Sequence, residues 1–408
     1  MTILQPADAG EAADMIAWAL AEKHPLEIVA GGSKRALGRP ARTDHTLDVS
    51  RLEGIVDYEP AELVLTAKAA TPISEIETQL AARQQMLAFE PPDWRALLGG
   101  RGEPTLGGVL ACNLAGPRRA RAGSARDFFL GFAAVNGRGE AWKAGGKVVK
   151  NVTGYDMCKL QAGAFGTLSL LTEVTLKVMP KPQAACTILL HGLADEIAIP
   201  TLLQALNTPH EVSGAAHVPA ALARSSGVAA VTKGLGAGAV TALRIEGPQP
   251  SVNYRVEAIE SLFGRGDRLD QAESERLWSE ISSVAPLLQE GRRYTWRLCP
   301  TPNRASAVVQ AIRDSLHSAE ALYDWGGGLV WLNVDADEAG RDGGAAIIRA
   351  AVARVGGHAT LVAALDNVRA EVPVFEPANN ALDALQGRIK QGFDPGGILN
   401  PGRIWKGR

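Results

Sequence analysis

Four segments of this chain carry the residue types from which a phosphate-binding site can be built. The first is LEIVAGGSKRALG, residues 26–38. A diphosphate needs several convergent backbone N–H donors, and a strand running into small residues can expose them as a nest. Ala30, Gly31, Gly32 and Ser33 are those small residues, and Lys34 or Arg35 adds positive charge. A plain turn after a strand is the simpler reading of this loop alone. It is not a Walker loop, because G-x-x-x-x-G-K-[ST] is absent. The second segment is TLGGVLACNLAG, residues 105–116. Gly107 and Gly108 let a flat ring or a phosphate chain approach the backbone, and Asn113 offers both a donor and an acceptor. Close packing through small residues explains it equally well.

The third segment runs from Lys147 to Val178. In it Lys150, Asn151, Thr153 and Asp156 precede a helix start, and Gly163 and Gly166 bracket a turn into an apolar strand. The fourth is FDPGGILNPGR, residues 393–403, where two Pro-bearing turns flank Ile398 and Leu399. A capped helix with a tight turn, and a chain-end latch, are the plain accounts of these two. A fifth glycine run, Gly234-Leu235-Gly236-Ala237-Gly238-Ala239, matches G-x-G-x-x-[GA]. A dinucleotide fingerprint requires a helix next, but residues 240–245 read as a strand, so a hairpin loop is expected there.

The elements that must position these segments can be read from periodicity. A capped helix opens at Asp8 and ends before Pro25, with Ala12, Met15, Ile16, Ala19 and Leu20 on one face. Residues 26–30, 46–50, 55–58 and 63–67 read as strands. Thr71 is expected to cap a helix with Pro72 at its first position. Asn136-Gly137-Arg138-Gly139 signals a hairpin, and Asp156 caps a short helix. The Pro-containing segment 179–182 marks a boundary. Beyond it, residues 187–190, 228–231, 240–246 and 329–334 read as strands. Residues 202–206, 253–262, 303–315 and 345–355 read as helices. The expected class is α+β. A domain of residues 1–182 precedes a second α+β domain of 183–385 with an antiparallel sheet, and a tail of 386–408 returns to the first.

Composition excludes several functions. With 408 residues and a net charge of −2, nothing drives the chain toward nucleic acid or anionic lipid. Arg118-Arg119-Ala120-Arg121 reads as a solvated surface loop. Cys112, Cys158, Cys186 and Cys299 are too dispersed for a zinc or iron–sulfur site and fit free, mostly buried thiols in a reducing compartment. The N-terminus lacks a basic segment leading into an apolar run, and residues 345–365 are interrupted by Arg349, Arg354 and His358. A cytoplasmic protein is expected.

The order and wording of the four segments resemble the FAD-binding domain of the vanillyl-alcohol oxidase-like family, which shares the p-cresol methylhydroxylase (PCMH) type of FAD-binding fold. The stretches GPRRARAGSARDFFLG and GGKVVKNVTGYDMCKL look most like the FAD-binding E subunits of bacterial glycolate oxidases. The resemblance covers residues 1–182 and the final 20 or so, and covers the middle only loosely. It implies a two-subdomain FAD-binding domain followed by a cap domain. It implies that residues 30–34 wrap the FAD diphosphate. Thr105, Gly107, Gly108, Asn113 and Gly116 would line flavin and pyrophosphate. Lys150, Thr153, Gly154, Asp156, Gly166 and Thr172 would close the site, and Asn400 would return to the flavin from the C-terminus.

The same resemblance implies a flavin subunit of a multi-subunit glycolate oxidase, engaged in electron transfer or in support of the catalytic subunit. Its partners would be a second flavoprotein holding the substrate site and an iron–sulfur subunit, and any membrane association would come through that complex. Two departures refine it. No histidine lies at 30–38 or 91–123, so noncovalent FAD is expected. The H-x-x-G-D-G-N motif of 2-hydroxy-acid-oxidising relatives is absent, so no metal is expected. His358, in Gly356-Gly357-His358-Ala359, reads as an ordinary partly buried or surface residue. A stand-alone FAD-dependent 2-hydroxy-acid dehydrogenase is the rival, with Arg297 as carboxylate clamp. A surface ion pair or interface contact is the plainer account of Arg297. A non-catalytic scaffold with a vestigial flavin site is the third possibility.

Overall fold

The computed structural model describes residues 2–41, 43–148, 154–233, 238–288 and 291–407. A three-stranded and a five-stranded sheet build most of the N-terminal part, with a two-stranded ribbon of Gln85–Met86 and Met179–Pro180 beside them. In the first, the parallel strands Thr2–Leu4, His45–Asp48 and Leu26–Val29 lie side by side under helix Ala9–Ala21. Asp8 caps that helix through the N–H groups of Gly10 and Glu11, as its side chain predicts. Ala12, Ile16 and Ala19 bury one face against Leu26 and Leu47.

The second sheet is antiparallel. Its order is Ile55–Glu59, Val64–Lys68, Ser169–Lys177, Phe129–Asn136, Ala141–Gly145. The hairpin at Asn136 forms because the Asn136 side chain accepts from the N–H groups of Arg138 and Glu140. Thr71 does not cap the following helix. The helix is Ile73–Ala81, preceded by Pro72, and Thr71 Oγ1 is turned back to the Lys68 and Gly54 carbonyls. Proline fixes the backbone there without any side-chain cap.

The second part holds eight antiparallel strands. Their order is Asp267–Leu269, Ala184–His191, Val240–Gly247, Gly214–Val218, Glu320–Asp324, Leu329–Asp335, Arg293–Pro300, Gly357–Ala363. Period-two alternation divides its side chains. Ile188, Leu243, Trp296, Leu298, Val330 and Leu361 face a core closed by helices Asp195–Leu206, Gln249–Phe263, Ala305–Arg313 and Ala345–Ala353. Leu189, Ala242, Trp331 and Val362 face the other way. They share one continuous core with Leu65, Phe89 and Phe128 of the N-terminal part and with helix Gln271–Ser282. The intervening residues of strand Arg293–Pro300, Arg297 and Cys299, therefore point toward the N-terminal part.

Residues 228–231 are not a strand. Val228 and Val231 are three apart, which is one face of a turn of helix, and the segment forms helix Ala229–Lys233 started by a Ser226 hydroxyl accepting from Val228 N–H. The expected hairpin loop at 234–239 lies largely outside the described residues. The helix Asn380–Phe393 runs across position 385, and its buried Lys390 donates to the carbonyls of Thr167 and Leu399. No helix among the described residues is long and apolar enough to cross a membrane.

Candidate functional site

A groove opens where the two small sheets meet. Strand Leu26–Val29 feeds the loop of Ala30, Gly31, Gly32, Ser33 and Lys34 into one wall. The opposite wall is the start of helix Leu106–Ala111, with Thr105, Gly107 and Gly108. Gly166 and Asn400 close a third side, and Val49, Ala69, Leu170 and Leu171 supply apolar lining. Ten of the residues expected in the site therefore converge.

The loop is held in place by neighbouring backbone. A Cβ on Gly31 would lie 1.9 Å from the Glu103 carbonyl oxygen, and one on Gly102 would lie 1.6 Å from the Gly31 carbonyl oxygen. Segment 99–103 thus braces the loop, and the sequence reading missed it. Its signal was the run Gly99-Gly100-Arg101-Gly102. Gly32 has φ of +73°, which disfavours any side chain there.

Lys34 is the charged group of the groove. Its Nζ donates to Ser33 Oγ at 3.0 Å, and burial draws its ammonium below the ordinary lysine value. A half-buried cation of this kind is a ready partner for an anion. Arg403 is a second cation, also unforeseen. It donates to the Arg35 carbonyl at 2.6 Å and to Glu27 Oε1 at 2.9 Å, so it fixes the loop. Asn400 links three segments: its Oδ1 accepts from Ile28 N–H at 2.8 Å and its Nδ2 donates to the Phe165 carbonyl at 2.8 Å.

Other expected residues lie elsewhere. Thr172 sits in strand Ser169–Lys177, where its carbonyl accepts from Ala69 N–H. Gly116 is a joint between the two parts, donating to the Phe89 carbonyl and accepting from Trp325 Nε1 at 3.0 Å. Gly154 and Asp156 are exposed, and Asp156 caps helix Met157–Gln161. That cap is the one its sequence predicts. Lys150 and Thr153 lie outside the described residues.

Asn113 and Arg297 meet at a second cavity of about 230 Å³. It shares Leu37, Cys112 and Phe165 with the groove, so the two adjoin. Trp94, His358, Thr360, Phe375 and Glu376 complete its wall. Arg297 is not a surface ion pair. Its guanidinium lies 5.2 Å from the Trp325 ring, and that of Arg119 lies 4.6 Å from the same ring. Among the described residues neither has a carboxylate partner within ion-pair distance. His358 is an exposed residue of strand Gly357–Ala363, as its sequence reading has it, and Cys299, its partner across the strand pair, holds its imidazole above the usual value.

The 118–121 run is likewise no solvated loop. Arg118 donates to Glu246 Oε2 at 2.9 Å and contacts Glu90 Oε1 at 2.8 Å. Arg244 grips Glu90 at 2.8 and 3.0 Å. This cluster joins the two parts beside the site. Burial would raise the Glu246 carboxyl, but Arg244 and Arg118 outweigh it and hold it at about 2. Burial alone dominates at Asp324, whose carboxyl is pushed up to about 7. Among the described residues, no group of three or more His, Cys, Asp or Glu gathers as a metal site.

Comparison with known proteins agrees with this geometry. A family model described as an FAD binding domain matches residues 2–145. Glycolate oxidase subunit GlcE of Escherichia coli (strain K12) is 35% identical over 387 residues, covering 95% of this chain and 94% of that protein. Glycolate oxidase subunit GlcD of Bacillus subtilis (strain 168) is 27% identical over 353 residues, covering 78% of this chain and 70% of the relative. Among solved structures, p-cresol methylhydroxylase with substrate bound superposes with a TM-score of 0.71 at 14% identity, covering 98% of this chain and 88% of that one. A 4-ethylphenol oxidase from Gulosibacter chungangensis gives 0.69 at 16% identity, covering 99% of this chain and 89% of that one. Those two likenesses show the fold. The groove with its glycine-braced loop and half-buried lysine fits the cofactor that the family model names, and the chain belongs to the FAD-binding oxidoreductase family that includes glycolate oxidase subunit GlcE.

Proposed function

We propose that this chain is the FAD-carrying subunit of a glycolate-oxidising complex, in which it relays electrons or supports a catalytic partner. The observation that carries the reading is the likeness to glycolate oxidase subunit GlcE over nearly the whole of both chains. The partners on this reading are a second flavoprotein subunit and an iron–sulfur subunit, in the cytoplasm or held at a membrane through them. FAD, when bound, supplies the two-electron chemistry. The chain's own residues do the holding. The backbone of Gly31, Gly32 and Ser33 receives the diphosphate, Lys34 balances its charge, and Thr105, Gly107 and Gly108 let it approach the helix start. Leu170, Leu171 and Val49 exclude water from the rings. On this reading the cofactor is held noncovalently, in keeping with a groove that has no histidine among its described lining residues. Purifying the native complex and counting flavin and iron per subunit tests the reading. A chain that purifies alone with full glycolate turnover overturns it, and flavin that stays with acid-precipitated protein overturns noncovalent binding.

The second cavity favours a second reading, in which the chain oxidises a small 2-hydroxy acid itself. Among the described residues Arg297 has no carboxylate within ion-pair distance, and it lines a cavity adjoining the groove, so it can hold the substrate carboxylate. Glu376 and His358 on the same wall are the titratable groups placed to receive a hydroxyl proton. Anaerobic addition of glycolate or D-lactate to the purified chain separates the readings. Rapid flavin bleaching, lost in Arg297→Gln, supports the second, and a flavin that stays yellow supports the first.

A further inference from the structure

A third cavity, of about 280 Å³, adjoins the groove, and neither reading uses it. Phe165 lines the groove, this cavity and the second cavity alike. Its ring makes a T-shaped contact with Phe375, with centroids 4.9 Å apart. Phe165 has φ of +54°, a left-handed backbone that a bulky residue adopts only where its surroundings impose it. Here its N–H donates to the Ala111 carbonyl at 2.8 Å, and its carbonyl accepts from Asn400 Nδ2. Gly163 N–H donates to the Leu110 carbonyl, and the Thr167 carbonyl accepts from Lys390 Nζ. Loop 163–167 is therefore pinned and does not close the space beside it.

The walls are apolar and open. Leu160, Ile389, Ile404 and Trp405 line the cavity, and all remain half-buried. One polar atom interrupts them. Gln386, one turn before Ile389 on helix Asn380–Phe393, has a buried Oε1 with no hydrogen-bond partner among the described residues. A buried acceptor without a partner is costly in a native fold, and a ligand that donates to it relieves the cost. Water is a poor candidate, since it needs about two to four polar partners. The Thr167 hydroxyl on the same wall already donates to the Ala164 carbonyl. Leu382 and Leu385, each 45% exposed, precede Ile389 at helical spacing and continue the apolar surface along the helix.

We propose that this cavity is a binding site for a quinone. The ring packs against Phe165, Phe375 and Trp405, one ring oxygen meets Gln386, and an apolar substituent lies along Leu385 and Leu382. Aromatic walls with a single polar anchor are the make-up of a small-molecule site. The amide suits both redox forms of such a ligand. Its Oε1 accepts from a hydroquinone O–H, and after rotation its N–H donates to a quinone carbonyl. A carboxylate or an ammonium in its place would serve only one form. The inference rests on the reading of the chain as a carrier of FAD and gives that reading an electron acceptor. The quinone takes two electrons and two protons from the reduced cofactor, and its two carbonyls become hydroxyls. Phe165 lines both sites, so the exchange has a short path.

The test begins with calorimetric titration of the full-length, FAD-loaded chain with duroquinone, whose ring positions are all methylated and closed to thiols. Saturable one-to-one binding is expected. Gln386→Leu should weaken it at least about ten-fold, with flavin content unchanged and melting unchanged or raised. Ile389→Trp should abolish it by filling the cavity. A decyl-substituted quinone should bind more tightly than duroquinone, and Leu385→Asp should remove that advantage alone. The flavin is then reduced by light under anaerobic conditions with no hydroxy acid present. Duroquinone should restore its yellow colour at least about ten-fold faster in the wild type than in Gln386→Leu or Ile389→Trp. Either of those variants suffices if the other folds poorly. Absence of saturable binding, or equal affinity in wild type and variants, overturns the proposal. So do equal reoxidation rates in all of them, or a partner chain that fills the cavity in the native complex and excludes duroquinone. A chain that purifies without flavin sinks the FAD reading instead, and the titration still decides the cavity.

Discussion

Gly102 leaves no room for a side chain against Gly31: a Cβ at 102 would sit 1.6 Å from the Gly31 carbonyl oxygen. The phosphate-side loop is therefore shaped by a second loop some seventy positions later in the chain. Gly102→Ala should push the two apart, lowering stability by about 1–3 kcal/mol and flavin occupancy with it. Gly392→Ala, in a helix with open space around it, serves as the control and should be neutral or slightly stabilising. Flavin absorbance per protein after gel filtration, with melting curves, checks both. Undiminished flavin in Gly102→Ala would mean that the brace does not shape the site.

Asn400→Leu should be as damaging from the other end of the chain. It leaves Ile28 N–H and the Phe165 carbonyl without partners, at about 1–3 kcal/mol each. The measurement is denaturant unfolding together with retained flavin. A variant that loses stability but keeps flavin would place Asn400 in the frame and not in the cofactor site.

Asp324 gives a pH dependence of known sign. Its carboxyl is held at about 7 in the folded chain, against an ordinary value of 3.8. Its contribution is greatest below 3.8, where it is protonated in both states. It is lost as pH rises through the folded value, with a slope of up to about 1.4 kcal/mol per pH unit. Asp324→Asn should flatten stability between about pH 4 and 7. An unchanged slope in chemical denaturation would remove Asp324 as its source.

Glu246 works in the opposite direction. Its folded value of about 2 lies below the ordinary 4.5, so its stabilisation is present above 4.5 and is lost as pH falls toward 2. Glu246→Gln strips Arg118 of its bidentate partner inside the joint between the two parts. It should cost about 3 kcal/mol at neutral pH and remove part of the acid sensitivity. Calorimetry at pH 7 and pH 4 reads both, and equal losses at the two would contradict the assignment.

Much of the frame was legible because its signals are local. Short apolar runs marked the strands 240–246 and 329–334, and the Asn136 turn marked its hairpin. The glycine and serine loop 30–34 was legible for the same reason, since backbone approach demands small residues wherever it occurs. What sequence could not show was convergence. Arg118 and Glu246 are 128 positions apart, and nothing in either neighbourhood announces the other. Arg297 reads in sequence as a carboxylate clamp or as an ion pair or interface contact, and nothing beside it names the Trp325 and Arg119 that it meets. Asp156 forms the cap that its sequence predicts and Gly116 is a backbone joint, although both are residue types that a ligand shell would also use.

The hydrogen bond between Asn400 and Ile28 spans 372 positions, and the parallel bridge of Leu26 with Leu399 lies next to it. During synthesis the first strand of the groove leaves the ribosome long before its last neighbour exists. Closing a loop of that length in an unfolded chain costs about 5 kcal/mol of entropy, so the contact must be assembled late, on domains already formed. A nascent chain halted before Arg403 has emerged should consequently fold most of both sheets yet fail to retain cofactor, which makes flavin capture an event that waits for residues 398–403.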